Sequence, residues 1–190
     1  ALGYLAELDT PEVRGLCLAH LTGADNMTDS MCALALLANS QGSERQQALA
    51  WFWKKWQHES LVVDKWFSVQ AASRLPDTLD QVRDLLTHPA FSMKNPNRVR
   101  ALIGTFCQAN HAGFNAADGS GYSFAADQVI ALDPLNPQIA ARMARSFDRW
   151  RKFDAGHQAH ARNALTRIAA KKGLSRDCYE VVTRALDETG

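Results

Sequence analysis

Apolar residues recur at helical spacing along nearly the whole chain, and the polar residues between them supply helix starts and stops. Ala1–Glu7 reads as the tail of a helix. Thr10-Pro11-Glu12 predicts a second helix, running to about Leu21, with threonine as N-cap and proline where its missing N–H costs nothing. After a turn at Gly23–Asn26, Asn26 or Thr28 opens a third helix through Met31, Leu34 and Leu37. Ser43-x-x-Gln46 reads as a capping box for a fourth, whose apolar stripe is Leu49, Phe52, Trp53 and Trp56. Ser60 opens a fifth with Val63, Trp66 and Phe67, and Asp77 or Thr78 opens a sixth that Pro89 stops.

The stretch from Asn95 to Phe106 organises the rest. Asn95-Pro96 is an N-cap followed by proline, and Val99, Leu102, Ile103 and Phe106 then share one face. Arg98 and Arg100 stand on the flanks of the first turn, against the positive end of the helix dipole. Two solvated arginines satisfy that pattern, and so does a helix start aimed at an anion. Asn110–Gly121, rich in Asn, Ala and Gly, is the one irregular stretch. An eighth helix follows from Ser120 or Tyr122 to Leu132, and Asn136-Pro137 repeats the Asn-Pro start for a ninth. Asp154 caps a tenth, ending near Gly173, and Ser175 caps the last.

No segment alternates with period two, so the expected class is all-α. Every second helix start, at Thr28, Ser60, Pro96, Pro137 and Arg176, recurs after 32, 36, 41 and 39 residues. That is the period of stacked helical hairpins, and it predicts antiparallel helix pairs stacked into an ARM/HEAT-like superhelix, an α-solenoid, over residues 1–190 as one domain.

Composition adds limits. Hydrophobic residues make up 46% and charged residues 22%, as in an ordinary globular domain, and the net charge of +1 offers no surface dedicated to nucleic acid or to an anionic membrane. Any ligand site must therefore rest on local charge. Cys17, Cys32, Cys107 and Cys178 form no CxxC pair and are expected as buried free thiols in a reducing, cytoplasmic setting. The longest apolar run, Met31 to Ala38, is too short to span a bilayer, and no signal peptide is visible. The chain begins without Met, as expected of a piece of a longer polypeptide or of a processed N-terminus.

The catalytic inventory is thin. His58-Glu59 lacks the second histidine of an HExxH helix, because Val62 stands where that histidine would be. His157 and His160 could share a metal, but two imidazoles are an incomplete site and no metal site is expected here. Asp118-Gly119-Ser120-Gly121 leads into a helix N-terminus, which fits either an anion cradle or a plain capping turn. On the ninth helix Gln138, Arg142, Arg145 and Arg149 recur at i, i+4, i+7 and i+11, a polar stripe that would suit carboxylates or simply water.

Asn26-Met27-Thr28-Asp29, Val63-Asp64-Lys65-Trp66-Phe67, Asn95-Pro96-Asn97-Arg98-Val99-Arg100, Asp118-Gly119-Ser120-Gly121-Tyr122 and Asn136-Pro137-Gln138, in this order and spacing, resemble the C-terminal region of the bacterial aminopeptidase N family. The resemblance runs along the whole chain. It implies a helical superhelix that closes over the catalytic domain of the same polypeptide and encloses a chamber for short peptides. The zinc cofactor, its HExxH motif and the amine-recognition motif would belong to the preceding catalytic domain, so no catalytic residue is expected here and the chain alone should be inactive. Position by position, Arg100, Gln138 and Arg142 match family residues that line the chamber near the primed subsites. An independent α-solenoid that binds a protein or peptide is the alternative.

Overall fold

The structure, a computed structural model, describes residues 2–187. Thirteen α-helical segments are labelled in chain order: α1 (Leu2–Ala6), α2 (Pro11–Gly23), α3 (Met27–Ala38), α4 (Ser43–Trp56), α5 (Ser60–Ala71), α6 (Thr78–Leu85), α7 (Pro96–Val99), α8 (Thr105–Ala109), α9 (His111–Phe114), α10 (Ser120–Leu132), α11 (Pro137–Ala144), α12 (Ala155–Ala169) and α13 (Arg176–Asp187). A π-helical turn, Arg100–Gly104, joins α7 to α8, so 96–109 is one continuous central helix. No strand occurs among the described residues.

The starts follow their local chemistry. Thr10, Asn26, Asn95, Asn136 and Asp154 each accept N–H bonds from the first turn of the helix they precede, satisfying donors that otherwise have no partner. Two helices begin at the expected serine without a side-chain cap. Gly42, not Ser43, occupies the N-cap of α4, so no capping box forms. Ser43 Oγ instead accepts from Gln47, while Glu44 takes the Arg14 guanidinium at 3.0 Å and ties α4 to α2. Glu59 likewise precedes Ser60 at the start of α5. The first helix is observed over Leu2–Ala6, and Ala1 lies outside the described residues.

Most helices pack against their neighbour in sequence and against the next but one. In the first half α2 packs on α3 and α4, α3 on α4 and α5, and α5 on α6 and the central helix. In the second α10 packs on α11 and α12, α11 on α13, and α12 on α13. That pattern is two rows of helices stacked side by side, the all-α solenoid expected from the spacing.

One apolar core threads the rows, through Leu34, Phe52, Phe67, Leu102, Phe106, Val129, Phe147, Leu165 and Val182, all fully or nearly fully buried. An aromatic contact carries it from one half to the other. Phe106 meets Phe124 edge-on at 5.3 Å. Buried Asn110 donates to the carbonyl oxygens of Ala71 (3.0 Å) and Ser73 (2.7 Å), capping the end of α5 from the chain that leaves the central helix. At the far end Asp133 accepts from the Ser175 backbone N–H at 2.8 Å and from its hydroxyl, and Ser175 Oγ in turn accepts from Cys178 N–H to start α13.

The ninth helix is shorter than its polar stripe predicts. α11 ends at Ala144 and gives way to two 3-10 turns, Arg145–Phe147 and Trp150–Lys152. Phe147 and Trp150 turn inward there, and Trp150 Nε1–H donates to Ala185 O at 3.1 Å. The tenth helix also stops early, at Ala169, and Gly173 takes a left-handed turn (φ 76°) toward α13.

Candidate functional site

The two arginines of the central helix have opposite environments. Arg98 is buried, donating to Ala90 O (3.0 Å) and Ser60 O (2.9 Å) and pairing with the Asp64 carboxylate. Its anion is internal, so the expectation that Arg98 flanks the helix in solvent or toward an outside anion is corrected. Arg100 is exposed and donates to the neutral Asn97 side-chain oxygen. The π turn begins here: the Thr105 N–H bonds to Arg100 O, one residue beyond the α-helical partner.

Arg100 stands on a hollow of about 760 Å³ formed by α3, α5 and the central helix. Met31, Leu61, Val69 and Ala72 line it with aliphatic surface, and Asp64, Lys65, Ser68, Asn97 and Thr105 with polar groups. Sequence reading missed the α5 contribution. The available signal was Leu61, Lys65, Ser68 and Ala72 at i, i+4, i+7 and i+11, a stripe opposite the buried Val63, Trp66, Phe67 and Gln70, with Leu61 as an aliphatic residue on a polar face.

Gln138 and Arg142 are exposed on α11, on the side away from buried Ala140, Met143 and Ala144. Neither lines the Arg100 hollow. The rest of the stripe parts from them: Arg145, in the first 3-10 turn, and Arg149, between the two turns, line a second hollow of about 460 Å³ with His111, Phe114, Tyr122, Trp150 and Phe153. Arg151 does not join it; it closes the end of α13, donating to Ala185 O and Leu186 O while its guanidinium lies 4.6 Å from the Trp150 ring.

His157 has both ring nitrogens engaged, Nδ1 with Asp154 at 2.6 Å and Nε2 with Asn115 O at 3.0 Å. The His157 backbone N–H, which also donates to Asp154 (3.1 Å), and secondly the ring hold the Asp154 carboxyl below the usual range. His160 packs on Gly119. Among the described residues no group of three or more His, Cys, Asp or Glu is placed to hold a metal ion.

The Asp118–Tyr122 segment is a packing device. Gly119 has φ 73°, and Ser120, through its hydroxyl first and its backbone N–H (2.9 Å) second, keeps the Asp118 carboxyl below the ordinary range. A Cβ on Gly121 would stand 2.4 Å from the carbonyl oxygens of Gly113 and Phe114, so glycine permits α9 to close on α10. Tyr122 then donates to Asn115 Oδ1 at 2.8 Å.

Of the cysteines, Cys17, Cys107 and Cys178 are buried free thiols, whereas Cys32 is exposed, a correction to the expected burial. Cys32 falls on the face of α3 away from buried Ser30, Leu34 and Leu37. Burial pushes the Cys107 thiol well above its ordinary range, and burial followed by the Asp133 charge pushes Cys178 up to about 12, so neither is a ready nucleophile. No helix among the described residues is long and apolar enough to cross a membrane.

Residues 1–187 match the family described as a domain of unknown function (DUF3458_C) with ARM repeats. The chain is 42% identical over 185 residues to aminopeptidase N of Escherichia coli (strain K12), covering 97% of this chain and 21% of that protein. It is 40% identical over 167 residues to aminopeptidase N of Haemophilus influenzae, covering 88% of this chain and 19% of that one. The crystal structure of Legionella pneumophila aminopeptidase A in complex with aspartic acid superposes with a TM-score of 0.91 at 32% identity, over 98% of this chain and 22% of that one. The chain thus spans about a fifth of the length of the proteins it matches. Its ARM-repeat architecture, and similarity to aminopeptidase N over nearly its whole length, place the chain in the DUF3458_C family of ARM-repeat domains.

Proposed function

We propose that this chain is the C-terminal helical domain of a cytoplasmic zinc metallo-aminopeptidase that removes N-terminal residues from peptides. It caps the catalytic domain of the same polypeptide, encloses the active-site chamber, and lines the primed side of that chamber through Arg100, Gln138 and Arg142. The observation that carries this reading is the 42% identity to aminopeptidase N over 97% of the chain. The exposure of all three side chains supports it further.

The described residues of this chain do not fit a zinc ion, so the metal, and the carbonyl polarisation and water activation it supplies, would belong to the rest of the polypeptide. The domain's own share is confinement and orientation. A wall of packed helices excludes folded proteins and bulk water, and guanidinium groups fix the distal end of a short peptide while its first bond is cut elsewhere.

An Arg–carboxylate contact of this kind contributes about 1.5–3 kcal/mol. In the whole polypeptide, Arg100→Ala or Arg142→Ala is therefore expected to lower kcat/KM on tri- and tetrapeptides by roughly 10- to 100-fold, with a much smaller loss on single-residue amide reporters that lack the distal end. Equal losses on both substrate types would overturn the primed-side role. The reading frame upstream of Ala1 tests the larger claim: an HExxH helix there supports it, and an immediate start codon favours a stand-alone peptide-binding solenoid.

A further inference from the structure

The hollow beside Arg100 has a chemical character that a bare cation site would not need. Its α3 and α5 walls are aliphatic, from Met31, Leu61, Val69 and Ala72, and Leu61 is 72% exposed. Two cations stand on it, Lys65 and Arg100. Its carboxylate, Asp64, is already committed to the buried Arg98 guanidinium, so it does not neutralise them. Arg100 donates to the uncharged Asn97 side chain, and Lys65 forms no ion pair among the described residues. An aliphatic surface joined to two cations without a counter-charge is complementary to one kind of small ligand, an apolar group bearing an anion.

The cations are held in relation to that surface. Lys65 lies on α5 itself, one turn from Leu61. Arg100 opens the π turn, and the turn is fastened to α5: Thr105 Oγ1 approaches both Arg100 O and Ser68 Oγ at 3.4 Å, and Ser68 Oγ–H donates to Ala101 O at 3.0 Å. The hollow's volume of about 760 Å³ falls within the range of small-ligand sites.

We propose that this hollow takes the C-terminal residue of a peptide, an aliphatic side chain lying on Leu61, Val69 and Met31 and the free carboxylate on Lys65 and Arg100. The proposal rests on the chamber reading for its biological meaning, and it adds the substrate class: short peptides with an aliphatic, unblocked C-terminal residue. Lys65 and Leu61 are then specificity-determining residues. An isolated inorganic anion would leave the aliphatic wall unused, and an uncharged apolar group would leave both cations unpaired.

The test is binding to the 190-residue chain, isotope-labelled and followed by NMR, which needs no peptidase activity. N-acetylleucine is expected to produce saturable shifts confined to the surroundings of Leu61, Lys65, Val69 and Arg100. N-acetylleucinamide, which lacks the charge, should bind at least about tenfold more weakly. Lys65→Ala and Leu61→Ser should each weaken N-acetylleucine roughly three- to tenfold, Lys65→Arg should restore most of the loss, and added salt should weaken the acid and not the amide. Both substitutions lie on exposed side chains and leave the core intact. Equal affinity for acid and amide, acetate binding as well as N-acetylleucine, or shifts elsewhere on the surface would overturn the proposal. If N-acetylleucine binds as described while Arg100→Ala lowers kcat/KM equally on peptides and amide reporters, the hollow stands and the chamber reading falls. Absence of localised shifts removes the hollow and leaves the chamber reading to its own assay.

Discussion

Two helices of this chain begin with the same dipeptide, Asn-Pro, and part within two turns. At the first, Asn95 Oδ1 accepts from Asn97 N–H and Arg98 N–H, and the helix continues to Ala109 through a π turn. At the second, Asn136 Oδ1 accepts from Ile139 N–H, and the α-helix is over by Ala144. The caps are alike; the surroundings are not. Val99, Ala101, Leu102, Ile103, Phe106 and Cys107 bury the first helix around much of its circumference, against α5 and α6 among others. α11 is buried along Ala140, Ala141, Met143 and Ala144, and the chain then turns Phe147 and Trp150 into the core from a tighter 3-10 path. A start is set by the residues next to it, whereas a length is set by what the helix packs against.

The same contrast separates the cations. Arg98 belongs to the fold, with a carboxylate and two carbonyls around it, and Arg142 belongs to the surface. Asp64→Ala, which leaves the Arg98 guanidinium buried without its anion, should cost about 3–5 kcal/mol in denaturant unfolding. Arg142→Ala should change stability by no more than about 0.5 kcal/mol. Comparable losses at the two positions would erase the distinction between a structural and a free arginine.

That distinction marks where sequence reading ends. Capping is a matter of two or three residues, and Asn26, Asn95, Asn136 and Asp154 all cap as their neighbours predict. The repeat spacing was legible for the same reason, since it is the distance between such signals. The partner of Arg98 lies 34 residues away on another helix, and no spacing rule points to Asp64. The end of α11 has no glycine or proline to announce it; it follows from Phe147 and Trp150 finding core positions that a continued α-helix would not offer. Arg100 was legible as a candidate, but the hollow on which it stands joins three helices, and its aliphatic wall comes from residues that sequence periodicity placed in no site.

The caps themselves give the next effect. Removing either asparagine by substitution to alanine should cost about 1 kcal/mol, from the range of roughly 0.5–2 kcal/mol found for such caps. Asn95→Ala should be the larger loss, because its oxygen holds two backbone N–H groups and the helix it starts carries Arg98 into its buried pair. Asn136→Ala frees one. Paired denaturation curves of the two variants would measure the difference, and a larger loss at Asn136 would show that the central helix does not depend on its own start.

The smallest effect is one of pH, and it is confined to the first half. His88 stands among Trp53, Trp66 and Phe67, with ring centroids 4.7, 5.3 and 5.8 Å away, and its Nδ1 accepts from Ala90 N–H at 3.2 Å. Burial among these rings disfavours the charged imidazole and lowers its pKa from the ordinary value of 6.5. Below that ordinary value the unfolded chain takes up a proton that the folded chain resists. His88 therefore contributes stability that is complete above about pH 6.5 and is lost progressively as the pH falls from there to the folded value. Asp118 and Asp154, whose carboxyls lie below their usual range, lose their contributions only in more acid solution, so the two windows separate. The thermal midpoint should fall between about pH 7.5 and pH 5.5, and His88→Gln should flatten that part of the profile while lowering stability at pH 7.5. An unchanged slope in His88→Gln would place the pH sensitivity outside the aromatic cluster, and with it outside the half of the molecule that holds Arg98.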